Sequence, residues 1–144
     1  VPLIAQWPGK IKAGSVSDHQ CAHWDLMPTL CELAGIDTPK HTDGISYVPT
    51  LTGAGKQRAH RYLYWEFHSY GNTQAIRMGD WKALRFKVRD NPDAPIALYN
   101  LKTDIGETKN IADQHPDVVK RIAPLFREAH TPSENFPLFG RKQK

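Results

Sequence analysis

Glu66 and His68 are the side chains of this sequence best placed for chemistry. They lie near the end of an aromatic-rich run, "HRYLYWEFHSYGN", just before a loop that contains glycine. A carboxylate and an imidazole both form hydrogen bonds with hydroxyl groups, and binding residues are common where a strand gives way to a loop. Since alternate residues of a strand face opposite sides, Glu66 and His68 share a polar face, and the other face should form the core: Leu63, Trp65 and Phe67.

A structural role is the alternative for these two side chains. A cross-strand pair with Arg77 or Lys82 would contribute about 0.2–1 kcal/mol to a sheet, and such pairs are common. On the residues alone, the structural role is favoured over a ligand-binding role.

Other kinds of site lack the residues they need. The seven histidines are spread from His19 to His130 without the short spacing of a metal site, and Cys21 and Cys31 lack the paired spacing of a zinc site. The sequence contains no P-loop, no GxGxxG and no GxSxG motif. Although the net charge is +4, the basic residues are scattered, so we expect no nucleic-acid partner. No apolar run reaches the roughly 18–20 residues of a membrane span, so we expect no membrane partner either.

The elements that position Glu66 and His68 follow from periodicity and turn residues. Four aromatic and aliphatic runs with a tight Gly79-Asp80 hairpin predict a four-stranded antiparallel sheet: Arg61–Phe67, Thr73–Met78, Trp81–Lys87 and Ile96–Leu101. A first helix should begin at Asp25 and end at Gly35, with one apolar face: Leu26, Leu30, Leu33 and Ala34. A second helix should begin at Pro116 and be kinked by Pro124. The opening run "VPLIAQW" predicts a buried strand.

Taken in order, the motifs resemble those of the sulfatases. The stretch "VPLIAQWPGKIKAGSVSDHQCAHWDLMPTLCELAGI" is similar to the family pattern R-x-P-x-I-x-x-W-P-G-x-I-x-x-G, a histidine, and a helix with D-L-x-P-T-L-x-x-L-A-G. "DGISYVPTLTG" resembles the family's Asp-Gly-x-Ser loop, and "LYNLKTDIGETKNIAD" resembles the segment before its last helix. The similarity extends from Val1 to about Leu138.

The resemblance implies an α/β (α+β) fold, the carboxy-terminal portion of an alkaline-phosphatase-like sulfatase. Residues 1–59 would belong to the end of the large α/β sheet of the catalytic domain. Residues 60–144 would form a carboxy-terminal subdomain, a four-stranded antiparallel sheet with a packing helix and an extended tail. The chain is then expected to be a segment of a longer protein, to pack on its own amino-terminal domain, and to lack hydrolase activity by itself. Periplasmic or secreted placement is implied by the family alone.

The family's chemistry is expected outside this chain. Sulfatases use a formylglycine made from the first residue of a C/S-x-P-x-R motif, together with a metal that is normally calcium. Neither Cys21 nor Cys31 begins that motif. The resemblance therefore implies no catalytic residue and no metal ligand among these residues, with the calcium ligands and the formylglycine upstream.

What remains for this chain is contact with the substrate, a sulfated small molecule or glycan. We hypothesise that His68, with Glu66 and Gln74 as weaker candidates, binds the sugar or leaving group of the substrate. A phosphonate or phosphodiester hydrolase of the same superfamily is the alternative enzyme. A non-catalytic carbohydrate-binding module is the alternative outside enzymes.

Overall fold

The chain forms two compact units, Val1–Arg61 and Tyr62–Lys144. The structure, a computed structural model, describes residues 2–140. Within these residues no helix has the length and apolar character needed to span a membrane.

The first unit is built around one short helix pair. A single 3₁₀ turn, His23–Asp25, leads into helix α1, Leu26–Ala34, which ends where Gly35 adopts φ of 68°. This left-handed conformation favours glycine. Helix α2, Val48–Thr52, follows a loop. The predicted helix at Asp25 is confirmed.

Asp25 organises the loop between these helices. Its buried carboxylate accepts the backbone N–H of Ala22 at 2.7 Å and that of Ile45 at 2.8 Å. His60 Nε2 lies 2.8 Å from Asp25 Oδ1. Thr29 continues the network, because its hydroxyl donates to the Asp25 carbonyl and accepts the N–H of Tyr47. Asp25 therefore ties three separate stretches of the unit together.

One expectation for this unit, the opening strand, is wrong. Residues 2–6 form no strand, and Leu3 and Ile4 are 55% and 91% exposed. A strand requires the backbone hydrogen bonds of a neighbouring strand, and the one sheet in the described residues contains only strands of the second unit. Helix α1 buries Pro28, Thr29 and Cys31, because the loop and helix α2 pack on that side, and Leu30 and Leu33 of its predicted apolar face are exposed within this chain.

The second unit contains the predicted sheet. Its strands run in the order β1-β2-β3-β4, and each neighbouring pair is antiparallel. Met78 pairs with Trp81, so Gly79 and Asp80 form the two-residue hairpin loop as predicted. The four strands are β1, Leu63–Phe67; β2, Thr73–Met78; β3, Trp81–Phe86; and β4, Ile96–Asn100.

Two short helices cover one face of this sheet. They are α3, Pro116–Ile122, and α4, Leu125–Glu128, and the break between them falls at Pro124, as predicted. The core unites one face of the sheet with both helices: Ile76, Ala83, Leu98, Val118, Ile122, Leu125 and Phe126.

The predicted core face of β1 was wrong for Trp65 and Phe67, although Leu63 is buried as predicted. Tyr62 and Tyr64 pack against the helix-covered core, whereas Trp65 and Phe67 are 37% and 59% exposed on the other face. Tyr64 pairs with Ile76, and Ile76 with Ala83, so the helix-covered face is the face of Tyr64. Glu66, two residues further along β1, is therefore on the covered face rather than on an open polar one.

Candidate functional site

The candidate site lies at the end of β1 where the helix-covered face meets solvent. Glu66 pairs with Gln74 across β1 and β2, and Gln74 pairs with Arg85 across β2 and β3. These three polar residues form the last row of that face, next to the apolar row of Tyr64, Ile76 and Ala83. The core therefore ends here in a polar rim.

Glu66 is the centre of a side-chain network. The Tyr64 hydroxyl donates to Glu66 Oε1 at 2.6 Å, and His130 Nδ1 lies 2.6 Å from the same oxygen. The second oxygen, Oε2, lies 3.5 Å from His68 Nε2. We call Glu66, Tyr64, His68, His130 and Gln74 the Glu66 network. One carboxylate oxygen is thus held from the inside, and the other is turned towards His68.

Gln74 supports this network from the buried side. It is 1% exposed, and its Nε2 donates to the Tyr64 hydroxyl at 2.8 Å and to the Phe126 carbonyl at 3.3 Å. Solvent does not reach this side chain in the structure, so its geometry suits holding Tyr64 rather than contacting a ligand. The role predicted for Gln74 remains a prediction.

Burial keeps the Tyr64 hydroxyl a donor. Desolvation, and then the hydrogen bond to Glu66, raises the pKa of Tyr64 well above its usual range. At neutral pH the phenol is therefore protonated and donates to Glu66. Burial likewise lowers the pKa of Arg85, whose guanidinium lies 4.9 Å from the centre of the Phe126 ring.

His130 is brought to Glu66 by the segment that follows α4. The Asn72 side chain donates to the Leu138 carbonyl at 2.6 Å, and the Gly140 N–H donates to the Arg89 carbonyl at 2.7 Å. Leu138 is 1% exposed and packs with Val88 and Ala94. The His130 ring also meets that of Phe139, edge to face, at 5.0 Å. This segment is therefore anchored at both ends against the sheet.

The loop after β1 carries an unusual backbone. Tyr70 and Asn72 have positive φ, and so does Lys87 at the end of β3; such angles are uncommon outside glycine. Two backbone bonds, Val88 N–H to Asn72 and Arg89 N–H to Gly71, join the two stretches. The surrounding structure thus imposes this conformation beside His68, and backbone strain of this kind clusters at functional sites.

The structure brings all three predicted residues into the Glu66 network, and the cross-strand partners predicted for the structural alternative are wrong. Glu66 and His68 meet, but Arg77 and Lys82 are not partners of Glu66. Lys82 pairs with Glu107, and the Arg77 Nε–H donates to the Gly79 carbonyl. Arg77 pairs with Leu63 and Lys82 with Arg77 across the strands, so both cations are on the opposite face from Glu66.

Tyr64 and His130 are members of the site that were not predicted from the sequence. Tyr64 looked like one more aromatic of the run, and His130 is 64 residues from Glu66. The one signal for His130 was its place at the start of "HTPSENFPL", since that stretch resembles the family's ending.

The described residues do not fit the family's metal site or its nucleophile. No three of the His, Cys, Asp and Glu side chains in residues 2–140 are grouped so that they could hold a metal ion. Cys21 and Cys31 are free thiols outside any C-x-P-x-R motif. The chemistry available to the Glu66 network is hydrogen bonding and charge, through one exposed imidazole.

Comparison with known proteins finds sulfatases in the family model and among the relatives, while the solved structures of similar fold also include phosphonate monoester hydrolases. The family model described as N-sulphoglucosamine sulphohydrolase, C-terminal, matches residues 1–130. Arylsulfatase K of Danio rerio is 30% identical over 133 residues, which are 88% of this chain and 25% of that protein. The Delta 4,5-hexuronate-2-O-sulfatase of Bacteroides thetaiotaomicron is 36% identical over 119 residues, 78% of this chain and 24% of that protein.

The fold agrees with the sequence match. A solved structure of BT4656 in complex with its substrate D-glucosamine-2-N,6-O-disulfate superposes with a TM-score of 0.71 at 28% identity, covering 86% of this chain and 26% of that one. This chain thus spans about a quarter of the length of the relatives it matches. The predicted family and the predicted fold, a four-stranded antiparallel sheet with helices of the alkaline-phosphatase-like class, are confirmed. The chain belongs to the sulfatase family, and it matches the family's C-terminal domain of the N-sulphoglucosamine sulphohydrolase type.

Proposed function

We propose that this chain is the C-terminal part of an enzyme that hydrolyses sulfate esters of glycans. The observation that carries the proposal is the family match over residues 1–130. Sugar substrates are supported by the N-sulphoglucosamine sulphohydrolase family model, by the hexuronate sulfatase and by the solved neighbour that binds a sulfated glucosamine, while arylsulfatase K is also among the relatives. The formylglycine and the calcium that the family implies would both come from residues outside this chain.

The role of this chain in that enzyme is to form a wall of the substrate cleft. His68 is the member of the Glu66 network best placed for a ligand, because its side chain is 34% exposed while that of Glu66 is 19% exposed. An imidazole both donates and accepts hydrogen bonds, which suits sugar hydroxyls. Glu66 would contact the ligand less directly, and Gln74 would act only through Tyr64.

The test is His68→Ala in the full-length enzyme, with kcat/KM measured on a sulfated oligosaccharide. Losing one hydrogen bond to the substrate should lower kcat/KM about tenfold. His115→Ala is the matched control, because the His115 ring packs on Trp81 at 4.8 Å, away from Glu66. An unchanged kcat/KM for His68→Ala would rule out the proposed wall.

The alternative functions are separated by the choice of substrate. A phosphonate ester of the same leaving group, cleaved faster than the sulfate ester, would indicate the phosphonate or phosphodiester hydrolase. Glycan binding by this chain alone, without hydrolysis by the full-length protein, would indicate the carbohydrate-binding module. Activity of the isolated chain would contradict the proposal, since the nucleophile is expected elsewhere.

Placement outside the cytoplasm is a further part of the proposal and rests on the family resemblance alone. Cell fractionation with an antibody against the native protein tests it. Recovery of the protein only with the cytoplasmic fraction would overturn this part without affecting the proposed reaction.

A further inference from the structure

We infer that His130 is a positioning residue, which fixes Glu66 so that the carboxylate orients the His68 imidazole for the ligand. The inference rests on the proposed function, because it assigns His130 a task at the same wall of the cleft. It starts from an asymmetry in Glu66, whose two oxygens have different surroundings.

Glu66 Oε1 is held on the inner side. Tyr64 and His130 each approach it at 2.6 Å. Tyr64 is in turn held by Gln74, and His130 by the edge of Phe139. A carboxylate oxygen only accepts hydrogen bonds, so Nδ1 of His130 carries the proton that it donates. With both donors in place, the carboxylate has one orientation.

That orientation leaves Oε2 facing His68. The separation of 3.5 Å between Oε2 and His68 Nε2 is somewhat longer than a direct hydrogen bond. A proton on Nε2 is favoured next to the carboxylate, which leaves His68 Nδ1 available to the ligand. The side-chain exposure falls from 34% for His68 to 14% for His130. His130 therefore acts from behind the carboxylate.

Packing alone does not explain why His130 is a histidine. An apolar residue would also pack on Phe139, but it would leave Glu66 Oε1 with a single donor. Because Tyr64 is in the same strand as Glu66, its bond alone does not fix the carboxylate relative to the segment after α4. His130 supplies that link from 64 residues away.

The experiment is a double-mutant cycle in the full-length enzyme, with His68→Ala, His130→Ala and the double variant. If His130 acts through His68, His130→Ala lowers kcat/KM on a sulfated oligosaccharide about tenfold in the wild-type background and less than about twofold beside His68→Ala. On a small aryl sulfate, which has no sugar hydroxyls for His68 to bind, kcat/KM should fall by a smaller factor than on the oligosaccharide in all three variants.

Two conservative variants keep the test decisive if His130→Ala fails to fold. The side-chain amide of His130→Asn can donate from near the position of Nδ1, whereas that of His130→Gln reaches the position of Nε2. Positioning predicts that His130→Asn keeps most of the oligosaccharide activity and that His130→Gln loses it. Equal loss on both substrates, or equal behaviour of the Asn and Gln variants, would assign His130 a structural role and overturn the inference.

The same cycle separates this inference from the proposed function. If His68→Ala lowers kcat/KM and His130→Ala lowers it by an independent factor, the proposed wall of the substrate cleft is supported and the positioning role of His130 is overturned. If His68→Ala has no effect, both are overturned.

Discussion

Each unit of this chain contains a carboxylate next to an imidazole, and the two pairs differ in what else the carboxylate binds. In the first unit, Asp25 is buried, 2.8 Å from His60, and accepts two backbone N–H groups. In the second, Glu66 is 2.6 Å from His130, and its other neighbours are the side chains of Tyr64 and His68.

The difference separates a carboxylate that holds a fold from one that can serve a ligand. Backbone donors cannot move without unfolding the loop that carries them, so Asp25 is committed to the structure. Side-chain donors can adjust, and one neighbour of Glu66, the His68 imidazole, is partly exposed. A carboxylate–histidine pair is therefore informative about function only after its remaining partners have been identified.

The largest loss in the free energy of unfolding is expected for Asp25→Asn. An amide offers one accepting oxygen where Ala22, Ile45 and His60 all converge, so its NH₂ group must face at least one donor. Breaking a buried charged network of this kind costs about 3–5 kcal/mol. Chemical denaturation of the full-length protein measures this loss in the free energy of unfolding.

Asp117→Asn is the control for that measurement, because Asp117 is an exposed residue in the first turn of α3. Its substitution should change the free energy of unfolding by less than about 0.5 kcal/mol. Similar values for the two variants would show that Asp25 is not the organiser of its loop.

Glu66→Gln should have a small effect on the free energy of unfolding and a larger effect on kcat/KM. The shape of the side chain is kept, and its partners are side chains at the rim of the core, so the free energy of unfolding should fall by only about 1 kcal/mol. The kcat/KM on a sulfated oligosaccharide should fall about tenfold, since the amide no longer favours one arrangement of His68. A large loss in the free energy of unfolding with an unchanged kcat/KM would show that Glu66 has a structural role, as Asp25 does, and not a role in ligand binding.

Local patterns in the sequence predicted the elements of the second unit well. The alternation of residues 61–101 and the Gly79-Asp80 step determine strands and a hairpin from neighbours alone. Pro124 interrupts the helix because it lies beyond the first turn, where a proline removes a backbone hydrogen bond. The face of β1 that would be buried was not predictable in this way, since Tyr64 alternates with Trp65 and both are aromatic. That choice depends on where α3 and α4 pack, about 50 residues further along the chain than β1.

The site was predictable only in part for the same reason. Glu66 and His68 are neighbours in sequence, so the strand pattern was enough to pair them. His130 depends on a contact across 64 residues, which no local periodicity encodes. The failed strand at residues 2–6 follows the same logic, because a strand exists only through a neighbouring strand.

The smallest expected effect is at Asp104, a carboxylate that is bound by backbone donors, like Asp25, but is only half-buried. It accepts the N–H groups of Thr108 and Lys109, and these bonds lower its pKa below the usual value. A lowered pKa in the folded state means that the bonds stabilise the protein above the ordinary Asp pKa of about 3.9. That stabilisation is lost as the pH falls from there through the lower folded value.

Thermal unfolding of wild type and Asp104→Asn between pH 2 and pH 7 would measure this contribution. The wild-type protein should have the higher Tm from neutral pH down to about pH 4, and the gap should close below that, where the carboxyl is protonated in both states. A gap that stays constant across the range would mean that packing, rather than the charge of the carboxylate, accounts for the effect of Asp104. In that case, a carboxylate should be assigned a structural role only where it both accepts backbone N–H groups and is buried, as Asp25 does.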